Sequence, residues 1–398
     1  MATDNKNKVL NVPHLRFPEF SGEWKKCKLG DLCNVLMCKR ILVSQTNTED
    51  GVPFYKIGTI GSTPDAYISK ELFDDYKVKY NYPRKGEVMI TCAGTVGKCV
   101  VYDGEDAYFQ DSNIVWIDNP TQYISNGFLF HLLSKVDWRK LNSTTIIRIY
   151  NDDLRNLKMS YPRKEEQQKI SHLLSLLDER IATQNKIIED LKKLKSAIIE
   201  KTFNENYSNK IRLRDVGSYI RGLTYSSDDV VESNGIFVMR SNNIINGSSL
   251  DYHNNIVSVN KQILTEQQLQ TGDIVICMAN GSSSLVGKSS FYDGDCSTPI
   301  TVGAFCGIYR SKEPIVKWLF QTNKYRRYIW NSLQGGNGAI ANLNGDDILR
   351  MSFSIPATPA KDNRIKLLTS VDTLLESNIS LCDLYISQKL YLLRQMFI

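Results

Sequence analysis

Basic and amide side chains recur in the polar loops of this sequence, between segments with the pattern of β-strands. Arg and Lys can bind phosphates or the edge of guanine, and Asn and Gln can pair with the edge of adenine. Taken alone, each of these residues is also explained by a solvated surface position. Their recurrence in both halves of the chain predicts a DNA-binding surface formed by Lys39, Arg40, Lys56, Thr95, Lys98, Arg148, Arg221, Tyr225, Arg240, Asn242, Asn243, Ser283, Lys288 and Asn337.

Catalytic arrangements are sparse in comparison. The sequence contains no GxxxxGK[ST] phosphate loop, no GxGxxG after a strand, no HExxH and no GxSxG. Cys92 and Cys277 could be nucleophiles, but no histidines occupy matching positions in the two halves to activate them. An acidic pair recurs in the two halves, as Asp152–Asp153 and Asp346–Asp347. Each pair could provide metal ligands or could cap the helical turn at its position. We expect no catalytic residue, no metal and no cofactor in this chain.

Length and composition are those of a folded protein with two or three domains. The chain has 398 residues, 42% hydrophobic and 23% charged, and a net charge of +6 that mildly favours an anionic partner. It has no apolar run of about 18 residues and no apolar signal core near Met1, so we expect a cytoplasmic protein without a membrane segment. Nine cysteines without CxxC spacing predict neither disulfides nor a zinc site.

The chain contains an internal repeat. The segment KGEVMITCAGTVGKCVVYDG (85–104) matches TGDIVICMANGSSSLVGKSSFYDG (271–294), and YNDDLRNLKMSYP (150–162) matches NGDDILRMSFSIP (344–356). Matching segments keep the same order, and their offset grows only from 184 residues (Asp31 to Asp215) to 194 residues (Phe203 to Phe397). Chance similarity would not preserve order and spacing over the whole chain. The sequence is therefore a tandem duplication of a globular block followed by a long helix.

The pattern within each block predicts a mixed α/β domain around a curved sheet, giving an α+β protein with an internal pseudo-twofold. Short apolar runs rich in β-branched residues, bounded by glycine turns, indicate the strands. One or two helices are expected in each block, at 126–140 and 314–333. We assign the first domain to residues 1–160, a central helix to 161–205, the second domain to 206–355 and a C-terminal helix to 356–398.

Both helical segments have apolar residues at mostly three- and four-residue spacing, which suits pairing with another helix. Prolines stand just before both starts, and Glu165 and Glu166 fall in the first turn of the first segment, where carboxylates suit the helix dipole. If the halves are related by a pseudo-twofold, the helices run antiparallel as a coiled coil. The residues predicted to pair are Ile170, Leu173, Leu177, Ile181, Ile188, Leu191, Ile198, Ile365, Leu368, Leu375, Ile379, Ile386 and Leu393.

The sequence resembles the DNA-specificity subunits of type I restriction–modification systems. Residues 12–24 and the following 28–31 look like the N-terminal opening of that family, and Pro162, residues 166–170, Leu177 and Asp178 look like the start of its central helix. The glycine–acid–strand–Gly-Lys elements at 86–98 and 272–288 are typical of its target-recognition domains. The resemblance covers the whole chain, including the duplication.

The resemblance implies a non-catalytic subunit in which each target-recognition domain reads one half of a split double-stranded DNA site. It further implies two modification subunits that bind S-adenosylmethionine, and two motor–nuclease restriction subunits that use ATP and Mg²⁺. One departure is that residues 356–364 lack the Glu-Gln signature of residues 166–168. An alternative from the residues alone is a coiled-coil scaffold or regulator whose blocks bind proteins; strongly salt-dependent DNA binding separates the two.

Overall fold

The computed structural model describes residues 10–140, 148–205, 207–294, 298–333 and 341–398. The chain separates into two compact units. Unit 1 comprises Met1–Asn185 and Ser380–Ile398, and unit 2 comprises Lys186–Ile379. Each unit contains one of the two β-rich blocks. The predicted α+β class is confirmed, whereas the domain boundaries assigned above stay predictions. No helix in the described ranges has a stretch long and apolar enough to span a membrane.

In its described residues, unit 1 is built on short strands with three helices between them. The strands are β1 Lys25–Lys28, β2 Asn34–Leu36, β3 Val52–Tyr55, β4 Tyr67–Ile68, β5 Val88–Thr91, β6 Cys99–Val101, β7 Tyr108–Phe109, β8 Ile114–Asp118 and β9 Lys158–Tyr161. The helices are α1 Lys70–Lys79, α2 Asn126–Lys135 and α3 Asn151–Arg155. Short 3₁₀ turns lie at Leu29–Asp31, Val43–Gln45 and Trp138–Lys140. The first long helix, α4, then runs over Lys164–Phe203.

Unit 2 repeats this plan with small additions. Its strands are β10 Lys210–Arg212, β11 Gly217–Arg221, β12 Val230–Val231, β13 Ile236–Met239, β14 Val257–Val259, β15 Ile274–Cys277, β16 Ala279–Asn280, β17 Ser289–Phe291, β18 Ile300–Val302, β19 Cys306–Ser311, β20 Ala341–Asn342 and β21 Ser352–Ser354. Its helices are α5 Leu213–Val216, α6 Val316–Leu319, α7 Asn323–Leu333 and α8 Gly345–Leu349. Its 3₁₀ turns are Ser227–Asp229, Ser241–Asn243, Thr265–Gln267 and Ser283–Leu285. The second long helix, α9, runs over Ala360–Met396.

The two units share their sheet topology, which confirms the duplication. In unit 1 the strand order β2-β8-β5-β6 corresponds to β11-β19-β15-β17 in unit 2, and both sheets are antiparallel. The pair β1-β9 corresponds to β10-β21. The third sheet of each unit contains one parallel pair, β3 with β7 and β13 with β18. All residues of β5 and β15 are buried, as expected for the continuous apolar runs at their positions.

The two long helices pack together, and their contacts within unit 1 show an antiparallel direction. In unit 1, the Asp178 carboxylate of α4 pairs with Lys389 of α9, and the Asn185 side chain accepts a bond from Cys382 Sγ at 3.5 Å. In unit 2, the side chains of Lys195 of α4 and Asp372 of α9 pair at 2.5 Å. Residue numbers therefore increase along α4 while the numbers of the facing residues of α9 decrease. The two helices run antiparallel, as predicted.

The structure places the residues predicted for helix pairing at three levels of burial. The buried ones are Ile170, Leu177, Ile188, Leu368, Leu375 and Leu393. The half-buried ones are Leu173, Ile181, Leu191, Ile198, Ile365 and Ile379. Ile386 differs, because its side chain is 39% exposed. On the same helix, Cys382 and Leu393 are buried and Lys389 is half-buried. These residues mark the buried face of α9, and Ile386 lies beside that face.

The Glu-Gln signature at the start of α4 has a structural role inside unit 1. Glu166 is buried and accepts two bonds of 2.7 Å from the Arg16 guanidinium, together with one from Trp24 Nε1 at 3.3 Å. Gln167 is also buried; its amide donates to the carbonyls of Tyr123 and Pro162 and accepts from Ser125 N. These contacts fix the N-terminal segment and the start of α4 to the block. The Glu-Gln signature therefore stabilises unit 1 internally. Its buried side chains leave little surface for a partner to contact.

The end of α9 completes the core of unit 1, which leads to a prediction for Phe397. Its ring lies 4.8 Å from that of Phe128 and 6.5 Å from that of Trp24, and it is 3% exposed. We expect Phe397→Ala to lower the free energy of unfolding by about 3–5 kcal/mol, because it removes a buried ring and leaves a cavity. Urea denaturation of the full chain measures this. Ile398→Ala is the control, since Ile398 is 50% exposed and should change stability by about 0.5 kcal/mol or less. Equal effects of the two changes would refute the packing argument.

Candidate nucleic-acid interface

In unit 2, three of the predicted residues line one cleft at the C-terminal ends of the parallel strands β13 and β18. Tyr225, Arg240 and Asn242 surround a volume of about 420 Å³, together with Phe305. Arg240 directly follows β13, and Phe305 lies in the loop that follows β18. The Arg240 and Asn242 side chains are exposed, and Tyr225 is half-buried. The cleft thus combines a guanidinium, an amide and two aromatic rings that can reach a ligand.

Asn243 lies next to these residues but is fully buried and holds the loop in place. Its side-chain oxygen accepts from Arg240 N at 2.9 Å, and its amide donates to the carbonyls of Asp251 and Asn254 at 3.0 and 2.7 Å. The Arg240 guanidinium donates to the carbonyl of Asn255 at 3.3 Å. Because the Asn243 amide is already satisfied, the structure gives it a positioning role instead of a place on the surface.

Ser283 and Lys288 line a second cleft in unit 2, of about 390 Å³. Ser283 is exposed and Lys288 is half-buried. Two further residues line this cleft, Arg326 and Trp330 of α7, which were not among the predicted residues although their four-residue spacing on a helix places them on one face. Trp330 is 62% exposed. This cleft pairs two cationic groups with an exposed indole, a combination that suits phosphates and bases.

Another predicted residue of unit 2, Arg221, lines neither cleft. Arg221 ends β11 with an exposed side chain, and its carbonyl accepts a bond from Gln267 Nε2 at 3.1 Å. It does not line the cleft around Arg240. Asn337 lies outside the described residues.

In unit 1, Lys56, Thr95 and Lys98 meet at the loop that follows β3. Lys98 Nζ donates to the carbonyl of Ile60 at 2.5 Å, and Thr95 Oγ1 donates to the carbonyl of Ile57 at 3.3 Å. Lys56 forms an ion pair of 2.8 Å with Asp65. The loop after β3 corresponds to the Arg240 loop, because Lys56 N bonds Thr59 Oγ1 as Arg240 N bonds the side chain of Asn243.

Arg40 and Arg148 contact the neighbouring loop, residues 110–113, which follows β7. Arg40 Nε lies 2.9 Å from Asp111 Oδ2, and Arg148 donates to the carbonyl of Ser112 at 3.2 Å. The Arg148 guanidinium also lies 5.9 Å from the ring of Tyr150. Lys39 lies apart from this group, with its ammonium 5.5 Å from the ring of Tyr80. Five of the six predicted residues of unit 1 thus lie around the two loops at the end of its parallel strand pair.

The second aspartate of each recurring acidic pair caps a helix. Asp153 Oδ2 accepts from Tyr150 N at 2.8 Å, and Asp347 Oδ2 accepts from Asn344 N at 2.9 Å, which confirms the capping interpretation. Within the described ranges, no group of three or more His, Cys, Asp or Glu residues is arranged to hold a metal ion. Burial raises the pKa of the Cys92 thiol to about 11 and also raises that of Cys277, so neither thiol is activated.

Comparison with known proteins agrees with this architecture. Residues 21–193 match the family described as type I restriction modification DNA specificity domain. The chain is 46% identical over 186 residues to a type I restriction enzyme specificity subunit from Haemophilus influenzae, covering 47% of this chain and 46% of that protein. The EcoKI specificity subunit of Escherichia coli is 34% identical over 173 residues, covering 40% of this chain and 34% of its own length. The chain thus spans less than half the length of these relatives in the matched regions.

The fold is similar to the crystal structure of the type I restriction–modification S subunit from M. genitalium. That similarity has a TM-score of 0.60 at 15% identity and covers 97% of this chain and 99% of the other. Residues 21–193 thus match a type I restriction modification DNA specificity domain, and the chain as a whole has a fold similar to that of this S subunit.

Proposed function

We propose that this chain recognises DNA sequence-specifically for a type I restriction–modification complex, and that each unit reads one half of a bipartite target. The observation that carries the proposal is the recurrence of basic and amide loops at the end of the same parallel strand pair in both units, after β3 and β7 and after β13 and β18. Such side chains can bind phosphates and base edges in the major groove.

The helices contribute the scaffold in this proposal. Exposed apolar residues lie along both long helices, and an exposed apolar surface of this kind suits a protein partner. These residues are Leu176, Ile187, Leu194, Leu367, Leu374, Leu381, Leu384, Leu390 and Tyr391. We assign the faces to two modification subunits, which two restriction subunits then join. The helix pair would also set the separation of the half-sites.

Catalysis belongs to those partners in this proposal. The modification subunits would bind S-adenosylmethionine, and the restriction subunits would bind ATP and Mg²⁺. This chain would supply sequence recognition and assembly without a reaction of its own. The complex would act in the cytoplasm, where it would have access to cellular DNA.

Mapping of methylated bases tests the proposal. Cells that carry this chain with its modification subunits should show methylation at one motif made of two short half-sites and a gap of unspecified bases. The double variant Arg240→Ala with Asn242→Ala should weaken binding of the complex to that motif by about 10- to 100-fold, since it removes base and phosphate contacts. Methylation in the genome and binding to duplex probes at several salt concentrations measure the two effects.

Lys261→Ala is the matched control, because it also removes an exposed positive charge from unit 2 but lies outside the cleft around Arg240. It should leave the motif unchanged. The wild-type affinity should fall steeply as salt concentration rises, as expected when phosphate contacts release counterions. A single contiguous methylated site, or DNA binding that does not respond to salt, would contradict the proposal.

A further inference from the structure

Phe305 is exposed although the backbone that carries it is fixed. Its side chain is 66% exposed, whereas its carbonyl accepts from Met278 N at 2.8 Å and from Ala279 N at 3.1 Å. At the other end of the short loop, Gly303 N donates to the carbonyl of Met239 at 2.9 Å. A large apolar ring is therefore held outside the core by a loop with satisfied backbone bonds. Because the loop is already ordered, binding through this ring costs little backbone conformational entropy.

The neighbours of Phe305 indicate which ligand. Single exposed apolar residues are common and need no explanation by themselves. Phe305, however, shares its cleft with Asn242 and Arg240. An amide pairs with the edge of adenine, an apolar side chain contacts the methyl group of thymine, and an A·T pair presents both groups in the major groove. The three side chains are thus complementary to DNA that contains an A·T pair, with the guanidinium available for a guanine or a phosphate.

We propose that Phe305 is a specificity-determining residue that contacts the 5-methyl group of a thymine in the half-site read by unit 2. The inference rests on the function proposed above and adds to it the chemical group that one residue recognises. It assigns an A·T pair to that half-site, with Asn242 placed to pair with the adenine edge.

Unit 1 lacks such a contact at the corresponding place. Gln110 N donates to the carbonyl of Tyr55 at 2.9 Å, as Gly303 N does to that of Met239, so the two loops correspond. Residues 111–113 of the unit 1 loop are Asp, Ser and Asn, and Ser112 adopts a left-handed φ of 51°. No large apolar side chain stands among these three residues. The thymine contact is therefore assigned to one half-site only.

Uracil substitution isolates the methyl group. The full chain, in complex with its modification subunits, is titrated with duplex probes of the mapped motif in which each thymine in turn is replaced by deoxyuridine. The wild-type complex should lose about fourfold in affinity at one thymine, the effect of one buried methyl group. Phe305→Ala should bind the thymine and uracil probes equally at that position. Phe305→Leu should retain part of the difference, because it keeps an apolar side chain.

Leu264→Ala is the control, since Leu264 is 62% exposed in unit 2 but lies outside the cleft. It should retain the full difference between thymine and uracil, and thymines of the other half-site serve as controls within each probe. The inference is overturned if neither half-site contains an A·T pair, if no thymine shows the effect, or if Phe305→Ala keeps it. It is also overturned if Phe305→Ala alters only self-association or partner binding. A wild-type complex without site-specific binding would instead refute the proposed function.

Discussion

Replacing Asp372 with alanine is expected to lower the free energy of unfolding by about 3–5 kcal/mol, because it leaves a buried positive charge without its partner. The Asp372 carboxylate lies 2.5 Å from Lys195 Nζ and 2.8 Å from Lys317 Nζ. The side chains of Asp372 and Lys195 are each 8% exposed. Burial lowers the pKa of Lys195, and the neighbouring Asp372 opposes this change. Chemical denaturation of the full chain at neutral pH measures the loss.

Asp178→Ala provides the matched control for this prediction. Asp178 also pairs with a lysine of the opposite long helix, Lys389, but the two side chains are 35% and 19% exposed. Solvent screens this pair, so its loss should cost about 1 kcal/mol or less. A double replacement, Lys195→Met with Asp372→Leu, should recover much of the stability lost in Asp372→Ala, since the buried charge of Lys195 is removed and Lys317, which is 29% exposed, can be solvated. Equal losses for Asp372→Ala and Asp178→Ala would contradict the role of burial.

The long helices and the duplication could be predicted because each depends on a signal that is local or repeated. The helical spacing of apolar residues over 161–205 and 356–398 predicted the helices observed as α4 and α9. The repeated order of segments predicted the strand order that the two units share. Both signals extend over many residues, so errors at single positions do not remove them.

The polar residues between the helices could not be predicted from spacing. Gln184, Lys195 and Asp372 are buried at inward positions where the apolar pattern has gaps. A charged residue can occupy such a position only if its partner stands opposite on the other helix, and that depends on the register between two distant segments. Ile386 shows the converse, since its apolar type favours burial while its position on α9 leaves it exposed.

The candidate site was predictable as a set of loops but not as individual side chains. Asn242 and Asn243 are identical in type and adjacent, yet one side chain is exposed in the cleft and the other is buried under it. The local turn determines which of the two side chains is buried, because Asn243 caps the 3₁₀ turn that begins at Ser241. Phe305 was missed for a related reason. An apolar residue next to a strand is ordinarily assigned to the core, and its exposure follows from the loop that holds it.

Removing one heptad from both long helices should abolish binding to the original bipartite site while leaving both half-site sequences unchanged. The deletions 181–187 in α4 and 380–386 in α9 both lie between the ion pairs Asp178–Lys389 and Lys195–Asp372 along the helices, so each unit keeps its own pair. Seven residues correspond to about 10.5 Å of helix, or about three base pairs of DNA at 3.4 Å each. Binding at the original gap should fall by about 10³-fold or more, towards the non-specific level.

A library of duplexes with every gap length measures the result. The deleted form should prefer a gap shorter by about three base pairs, although with lower affinity than the wild type. A heptad turns an α-helix by about 20° short of two full turns, whereas three base pairs turn the duplex by about 100° at 10.5 base pairs per turn. The preferred gap is therefore a compromise between distance and rotation. Deletion from α4 alone should disrupt the pairing of the helices instead, because it breaks their register. An unchanged gap preference after the double deletion would exclude the helix pair as the spacer between the two half-sites.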